Sequence, residues 1–596
     1  MKSFIKKYLV VTIVLILSLM FILEITSALS ESQTMDEAVH LAAGYSYLRT
    51  GDFRMNPEHP PLLKYLSALP LLFLDLHHPT YYKSWAQADK WQFASDFLYH
   101  NKVPADIILI LSRIPIMLLG LLAAYYVFKW TRELFGLYGG LFAVLLFAFS
   151  PNILAHSRYV TTDLPVTLGI LICIYYFGKY LEKPNVKNLV IVAIIFGVAQ
   201  VTKFSAIIIL PILIILYLIK WWQTKKLNNP FSFKNFLKTF IFILLIAYII
   251  IFITYGFEIK KPLDDPDIVK LYEKRSEKVE SGEWQNSGFL PNAILANTDR
   301  NKKSGQIIYW IAENIPVPSL SYLKGIVQLA SHNYFGHQAY LNGHYSNFGW
   351  WYYFPLAYLV KSTIAEIILL VILIIFFIKD VFSNIKLNGF YNYFKLRPFY
   401  YYLLIIPPLI YFLWSLTSHL NLGVRHILPI YPFIIILSGY LIMINIKRFN
   451  KLFKILLIIL LLFHITSSIL IYPHFLAYFN EAVGGSENGP KYLIDSNIDW
   501  GQDLKNLEVY LKKNKIQSLC LSYFGTASTS YYLKMNTGKI SEIPEFESSR
   551  PDCLVAVSVS NLFNKEGNYR WLTKYEQIAN IGYSIYIFSI KSQQNQ

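Results

Sequence analysis

Hydrophobic residues in this chain come in blocks long enough to cross a bilayer, which takes about 20 residues of helix. Eleven such blocks predict transmembrane helices, near 8–28, 105–128, 137–156, 160–179, 188–202, 204–220, 238–255, 352–378, 399–418, 427–446 and 453–472. Lys203 is the only strong break between the sixth block and the fifth. Three long polar stretches interrupt the pattern, at 29–104, 256–351 and 473–596. In the last, "KYLIDSN", "SLCLSYF", "CLVAVSVS" and "YSIYIFSI" predict strands and "DLKNLEVYLKKN" a helix. The fold class expected is an α-helical polytopic membrane protein of about 11 transmembrane helices over 1–472. A small C-terminal α/β domain follows over 473–596.

Composition sharpens this. The chain is 55% hydrophobic and only 15% charged, against about 25% charged in soluble domains. Its net charge of +17 does not point to nucleic acid, because the cations lie in short links between apolar blocks. Placing the N-terminus in the cytoplasm puts Lys2, Lys6, Lys7, Lys129, Arg132, Lys179, Lys183 and Lys187 inside, and leaves only Arg158, Lys203 and Arg425 in the short outer links. The three long polar stretches then face outward. The basic, apolar N-terminus lacks a small-residue cleavage site and reads as a retained first span. Of three cysteines, Cys173 lies in a span; Cys520 and Cys553 form either a disulfide or two buried thiols.

Ionisable residues near a bilayer are costly and often functional, and here they gather at the outer ends of spans. In "SQTMDEAVHLAAGYSYLRTG", Thr34 and Glu37 have capping-box spacing. Glu37 therefore caps the helix, while neighbouring Asp36 points about 100° away and is either a chemical group or an acid that favours the helix dipole. In "MNPEHPPLLKYL", Pro60 and Pro61 suit the first turn of a helix lying in the outer interface, with Glu58 and His59 at its start. "SPNILAHSRYVTTDLPVT" places His156, Arg158 and Asp163 around a tight hairpin, with Asp163 inside the next span. Arg425 and His426 open the tenth span; Arg425 is a phosphate fork or a snorkelling cation, and Lys361 and Lys203 carry the same two readings. Acids and cations at one membrane face imply an amphipathic substrate with an anionic head, such as a lipid-linked phosphosugar.

The stretch "DEAVHLAAGYSYLRTGDFRMNPEHPPLLKYL" resembles the first outer loop of the prokaryotic branch of the dolichyl-phosphate-mannose–protein mannosyltransferase family. "SPNILAHSRYVTTDLPVT", "GWWYYFPLAYLVKST", "NLGVRHILPIYPF" and "YFNEAVGGSENGPKYLIDSNIDWGQDL" are similar to that branch in the same order. The resemblance implies a GT-C membrane glycosyltransferase, related to aminoarabinose transferases, with an outward-facing active site. Such an enzyme moves a sugar such as mannose from a polyprenyl-phosphate donor to a protein, lipid or glycan acceptor hydroxyl, with inversion. It further implies Asp36 as general base, Glu37 as its partner, Asp163 as a second acid, and Glu58 and His59 shaping the pocket. Arg425, His426, Lys361, Lys203 and Arg158 are the expected contacts for substrate and its phosphate. No metal motif stands out; if a divalent ion is used, Asp36, Glu58, His59 and Asp163 are its expected holders. The loop 256–351 is too short for the large luminal domain of the eukaryotic branch. In "DSNIDWGQD", Asp499 either caps a helix or meets the acceptor. The rival reading, a flippase for lipid-linked sugars, needs no base and favours internal repeats, which are not seen.

Overall fold

The computed structural model describes residues 2–224, 231–265, 268, 303–448, 451–533, 537–539 and 553–590. The centre of the 256–351 loop lies outside them.

All eleven apolar blocks fall on helices. Seven described helices are long and apolar enough to cross a membrane, by length and composition, or eight if the pair Gly389–Leu396 and Tyr400–Ser415, bent by 99°, is one broken span. The chain is thus a multi-pass membrane protein. The second and third blocks join in one element, Ala105–Ala148, broken at Gly136. Forty-four residues of straight helix would measure about 66 Å, twice the hydrocarbon thickness, so the break lets one element supply two crossings. The third block ends at Ala148, and its remainder forms the separate short helix Pro151–His156. The eighth block starts later than expected. Tyr353–Lys361 is a short helix of its own, and Ile364–Leu396 begins after a full Thr363–Glu366 capping box that satisfies two orphan N–H groups.

A helix follows Pro60–Pro61, Leu62–Ala68 continuing into a 3-10 turn through Phe73. Leu63, Ala68 and Leu71 are buried, while Leu69, Leu72 and Phe73 are exposed, as suits a helix resting on acyl chains. It packs tightly on Glu37–Thr50, where a Cβ on Gly44 would stand 2.0 Å from the Lys64 carbonyl oxygen. Only glycine fits there.

The C-terminal part holds a five-stranded mixed sheet in the order Thr537–Lys539, Leu519–Ser522, Cys553–Ser558, Ile585–Ile590, Glu576–Ile581. The first three strands pair in parallel and the last three antiparallel. Helix Leu504–Lys513 buries Leu504, Leu507 and Leu511 in the core of this sheet. "KYLIDSN" is not a strand. It carries 3-10 turns at Gly489–Lys491 and Asp495–Asn497 and belongs to an irregular strap laid over the ends of the spans. Cys173 is free and buried and Cys520 is disulfide-bonded; the side chain of Cys553 lies outside the described residues.

Candidate active site

Four charged side chains from distant parts of the chain meet at one end of the helical bundle. Asp163 opens the helix Asp163–Glu182, and its Oδ1 lies 2.6 Å from Lys203 Nζ. Its Oδ2 is 3.5 Å from Arg425 Nη1, and the same nitrogen is 3.4 Å from Asp36 Oδ2. The signs alternate along Lys203, Asp163, Arg425 and Asp36. Asp163 is nearly inaccessible, at 2% exposure, whereas Asp36 keeps 32%. Asp36 is therefore the more accessible of the two acids. The buried Nε of Arg425 has no hydrogen-bond partner.

Local structure frees Asp36 for this. It sits at the N-cap position of the helix Glu37–Thr50 but makes no side-chain cap bond. Loss of surrounding water raises its carboxyl above the usual range; Arg425 pulls it down and Asp163 pushes it up. A base held above the ordinary carboxylate range takes a proton more readily.

Glu37 is a different kind of acid. It completes only half of the expected capping box: the Thr34 N–H donates to Glu37 Oε2 at 2.8 Å, while Thr34 Oγ1 has no partner. Both Glu37 oxygens also take the Arg113 guanidinium, at 2.9 and 2.7 Å, and Oε1 accepts from the Val160 N–H at 3.0 Å. Fully buried and saturated, Glu37 holds Asp36 in place and has no lone pair left for chemistry.

Three expected substrate contacts are tethers instead. Arg158 is buried between Ser27, Glu31 and Tyr159, and one of its guanidinium nitrogens donates to Glu31 Oε1 at 2.9 Å. Lys361 donates to the carbonyls of Leu476 and Asn497 at 2.8 and 2.5 Å, over the Phe479 ring. It ties the strap to the bundle. Glu58 turns outward, 55% exposed, to Lys90 at 2.5 Å, because its neighbour His59 takes the inward position. His59 lies 5.3 Å from His40, ring centre to ring centre, and both Nδ1 atoms are buried without partners. Burial pushes both imidazoles down, His40 to about 3, so both are neutral. His426 lies against Phe354. With Glu58 turned away, and Asp36 and Asp163 paired to cations, the expected metal holders do not come together; among the described residues no group of three or more His, Cys, Asp or Glu side chains could hold a metal ion.

Sequence reading passed over Arg113, Lys64 and Trp500. Arg113 stands inside the second predicted span, where an arginine asks for a partner. Lys64 is buried and donates to the carbonyls of Asn56 and His59, fixing the turn that presents His59. Trp500 carried no local signal. It lies under Arg425, whose Cζ is 4.2 Å from the ring centre. Asp499 neither caps the helix that follows nor faces the site: its carboxylate accepts from the N–H groups of Ser560 and Gly501.

Residues 110–253 match the family model described as dolichyl-phosphate-mannose-protein mannosyltransferase. Over that segment the chain is similar to this mannosyltransferase family. The matched segment carries Asp163, Lys203, Arg113 and Arg158; Asp36 and Arg425 lie on either side of it. No curated protein matches the chain. Solved structures similar to it include ArnT from Cupriavidus metallidurans in the apo state, at 10% identity, 97% of each chain and a TM-score of 0.42. The archaeal oligosaccharyltransferase AglB from Archaeoglobus fulgidus is similar at 11% identity over 96% of this chain and 73% of its own, with a TM-score of 0.43. The Pmt1-Pmt2 complex of S. cerevisiae is similar at 20% identity over 41% of this chain and 33% of its own, with a TM-score of 0.32.

Proposed function

We propose that this protein is a membrane glycosyltransferase that moves a sugar from a polyprenyl-phosphate donor to an acceptor hydroxyl, with inversion. The observation that carries the reading is the accessible carboxylate of Asp36 set against Arg425, which has a donor to spare. Asp36 takes the hydroxyl proton, the oxygen attacks C1 of the sugar, and the C1–O bond to phosphate breaks with its electron pair leaving on the phosphate. Phosphate needs no proton to depart, so one base suffices. Arg425 and Lys203 face the charge that grows on the leaving group. Asp163 holds those two cations apart and in register. Neutral His40 and His59 border the same space and suit hydrogen bonding to sugar hydroxyls.

An apolar groove supports a lipid-linked donor. It has a volume of about 510 Å³ and is walled by Leu373, Phe377, Leu409, Phe412 and Ile434. Ile430, which also lines it, lies on the same 3-10 segment, Val424–Ile430, as Arg425. A polyprenyl chain in the groove would bring its phosphate towards that segment.

Two experiments test this reading. Transfer from a synthetic polyprenyl-phosphate sugar should rise with pH along a limb set by Asp36, which ionises above the ordinary carboxylate range. Around Asp36 stand Arg425, Asp163, Glu58 and Asp495. Arg425 is the group that holds its proton affinity down, so Arg425→Ala should move the limb to higher pH and lower the rate by about 100-fold or more. A limb that stays in place, with wild-type rate, would show that Arg425 does not face the base. The second concerns sidedness. The cation asymmetry of the short links and the disulfide at Cys520 favour an extracytoplasmic site and C-terminal domain. Alkaline phosphatase fused after Gln596 should be active in cells, and green fluorescent protein at the same point dark; the reverse pattern would invert the topology.

A further inference from the structure

The sequence motif "DSNIDWGQD" is not absorbed by the roles above, and its placement is unusual. Residues 495–503 leave the membrane bundle for the C-terminal sheet, yet they are buried against the reaction site. Trp500 is 1% exposed. Its ring carries the Arg425 guanidinium on one face and meets the edges of His156 and Tyr159. A cation on a desolvated indole face is held by the ring quadrupole, which fixes a side chain that would otherwise choose among its two carboxylates and solvent.

The same segment grips the chain just before Asp36. The Met35 N–H donates to the Trp500 carbonyl at 3.0 Å, and the Ser32 N–H to the Gln502 carbonyl at 2.9 Å. The other side of Met35 is held from the sheet domain, where Thr526 Oγ1 donates to the Met35 carbonyl at 3.1 Å and receives Gln33 Nε2 at 3.0 Å. Both backbone polar groups of the residue before Asp36 are therefore bonded to the C-terminal part. On the other flank, the Val424 N–H donates to Asn497 Oδ1 at 3.0 Å, and Ser496 Oγ to the Leu422 carbonyl at 2.7 Å. That fixes the entry to Arg425. Asp495, which leads into this run, sits in the left-handed backbone region with φ 57, a strained setting that surrounding structure must impose.

We propose that the strap 495–503 is a working part of the reaction site, with Trp500 the positioning residue that sets Arg425 against Asp36 and joins both to the C-terminal domain. Its catalytic arm rests on the glycosyltransferase reading; its geometric arm does not.

The test compares Trp500→Ala, Trp500→Phe and Thr526→Val in the full chain, in detergent with native lipids. Hydrogen–deuterium exchange over residues 32–40 reads the geometry, and sugar transfer reads the catalysis. Trp500→Ala should speed exchange in that segment by about tenfold and lower kcat by about 100-fold, the scale of a small misplacement at a reacting centre. Trp500→Phe keeps a ring under the guanidinium and should restore most of both. Thr526→Val changes one exposed side chain, keeps the fold, and should raise exchange at Met35 and Asp36 while lowering kcat several-fold with little change in donor KM. Wild-type exchange and kcat in Thr526→Val, or a Trp500→Phe variant no better than alanine, would overturn the proposal. A wild-type protein that transfers no sugar would overturn the glycosyltransferase reading alone, because the exchange comparison still decides whether the strap holds Asp36.

Discussion

An Asp36→Asn protein should insert, fold and melt like wild type, and should transfer sugar between about 100- and 10,000-fold more slowly, the range that a positioned general base contributes. The substitution keeps size and leaves the backbone bonds around the residue intact. Asp36 makes no cap bond, and its contact with Arg425 is long, at 3.4 Å, so little stability depends on its charge. The check is single-turnover transfer from a polyprenyl-phosphate sugar, beside a melting curve. Transfer at the wild-type rate would remove Asp36 from the chemistry. Asp163 would then be the remaining acid, although at 2% exposure and paired with Lys203 it is poorly placed to receive a proton.

One residue along, the opposite outcome is expected. Breaking the Glu37–Arg113 pair by Arg113→Met should cost about 3–5 kcal/mol, the scale seen when one partner of a buried ion pair is removed. The reason is burial: the two side chains are 0% and 1% exposed, and Arg113 also donates to the carbonyls of Ala28 and Ser32. The variant should be recovered at low yield and melt well below wild type. Adding Glu37→Met to it should regain much of the loss, since the unpaired carboxylate is then gone. A single variant with a wild-type melting curve would mean that water reaches this pair. Under the proposed mechanism the adjacent acids divide the labour, with Asp36 facing the substrate and Glu37 fixing the helix that presents it.

The sequence shows the spans well because each is a run of apolar residues, a property that depends on no partner. It also places Asp36, Asp163, Lys203 and Arg425 at one face, and the structure brings these four into contact. Pairing is what it hides. Arg158 and Lys361 look like substrate contacts by placement, yet Arg158 meets Glu31 and Lys361 meets two carbonyls more than a hundred residues away. Nothing local distinguishes a cation that waits for a phosphate from one already spent. Glu58 and His59 are neighbours in the chain but face opposite ways, a fact decided by Lys64 beneath the turn. Trp500 lies too far along the chain from Arg425 for any periodicity to join them.

The grip on Met35 also bears on how the molecule is made. Asp36 lies near the start of the chain, among the earliest parts to leave the ribosome, whereas the groups that hold the backbone before it come from Trp500 and Thr526. A nascent chain carrying every span still lacks them. If the proposed roles hold, competence for transfer arrives only after the C-terminal part has been made, and a half-made protein in the membrane would not spend lipid-linked sugar.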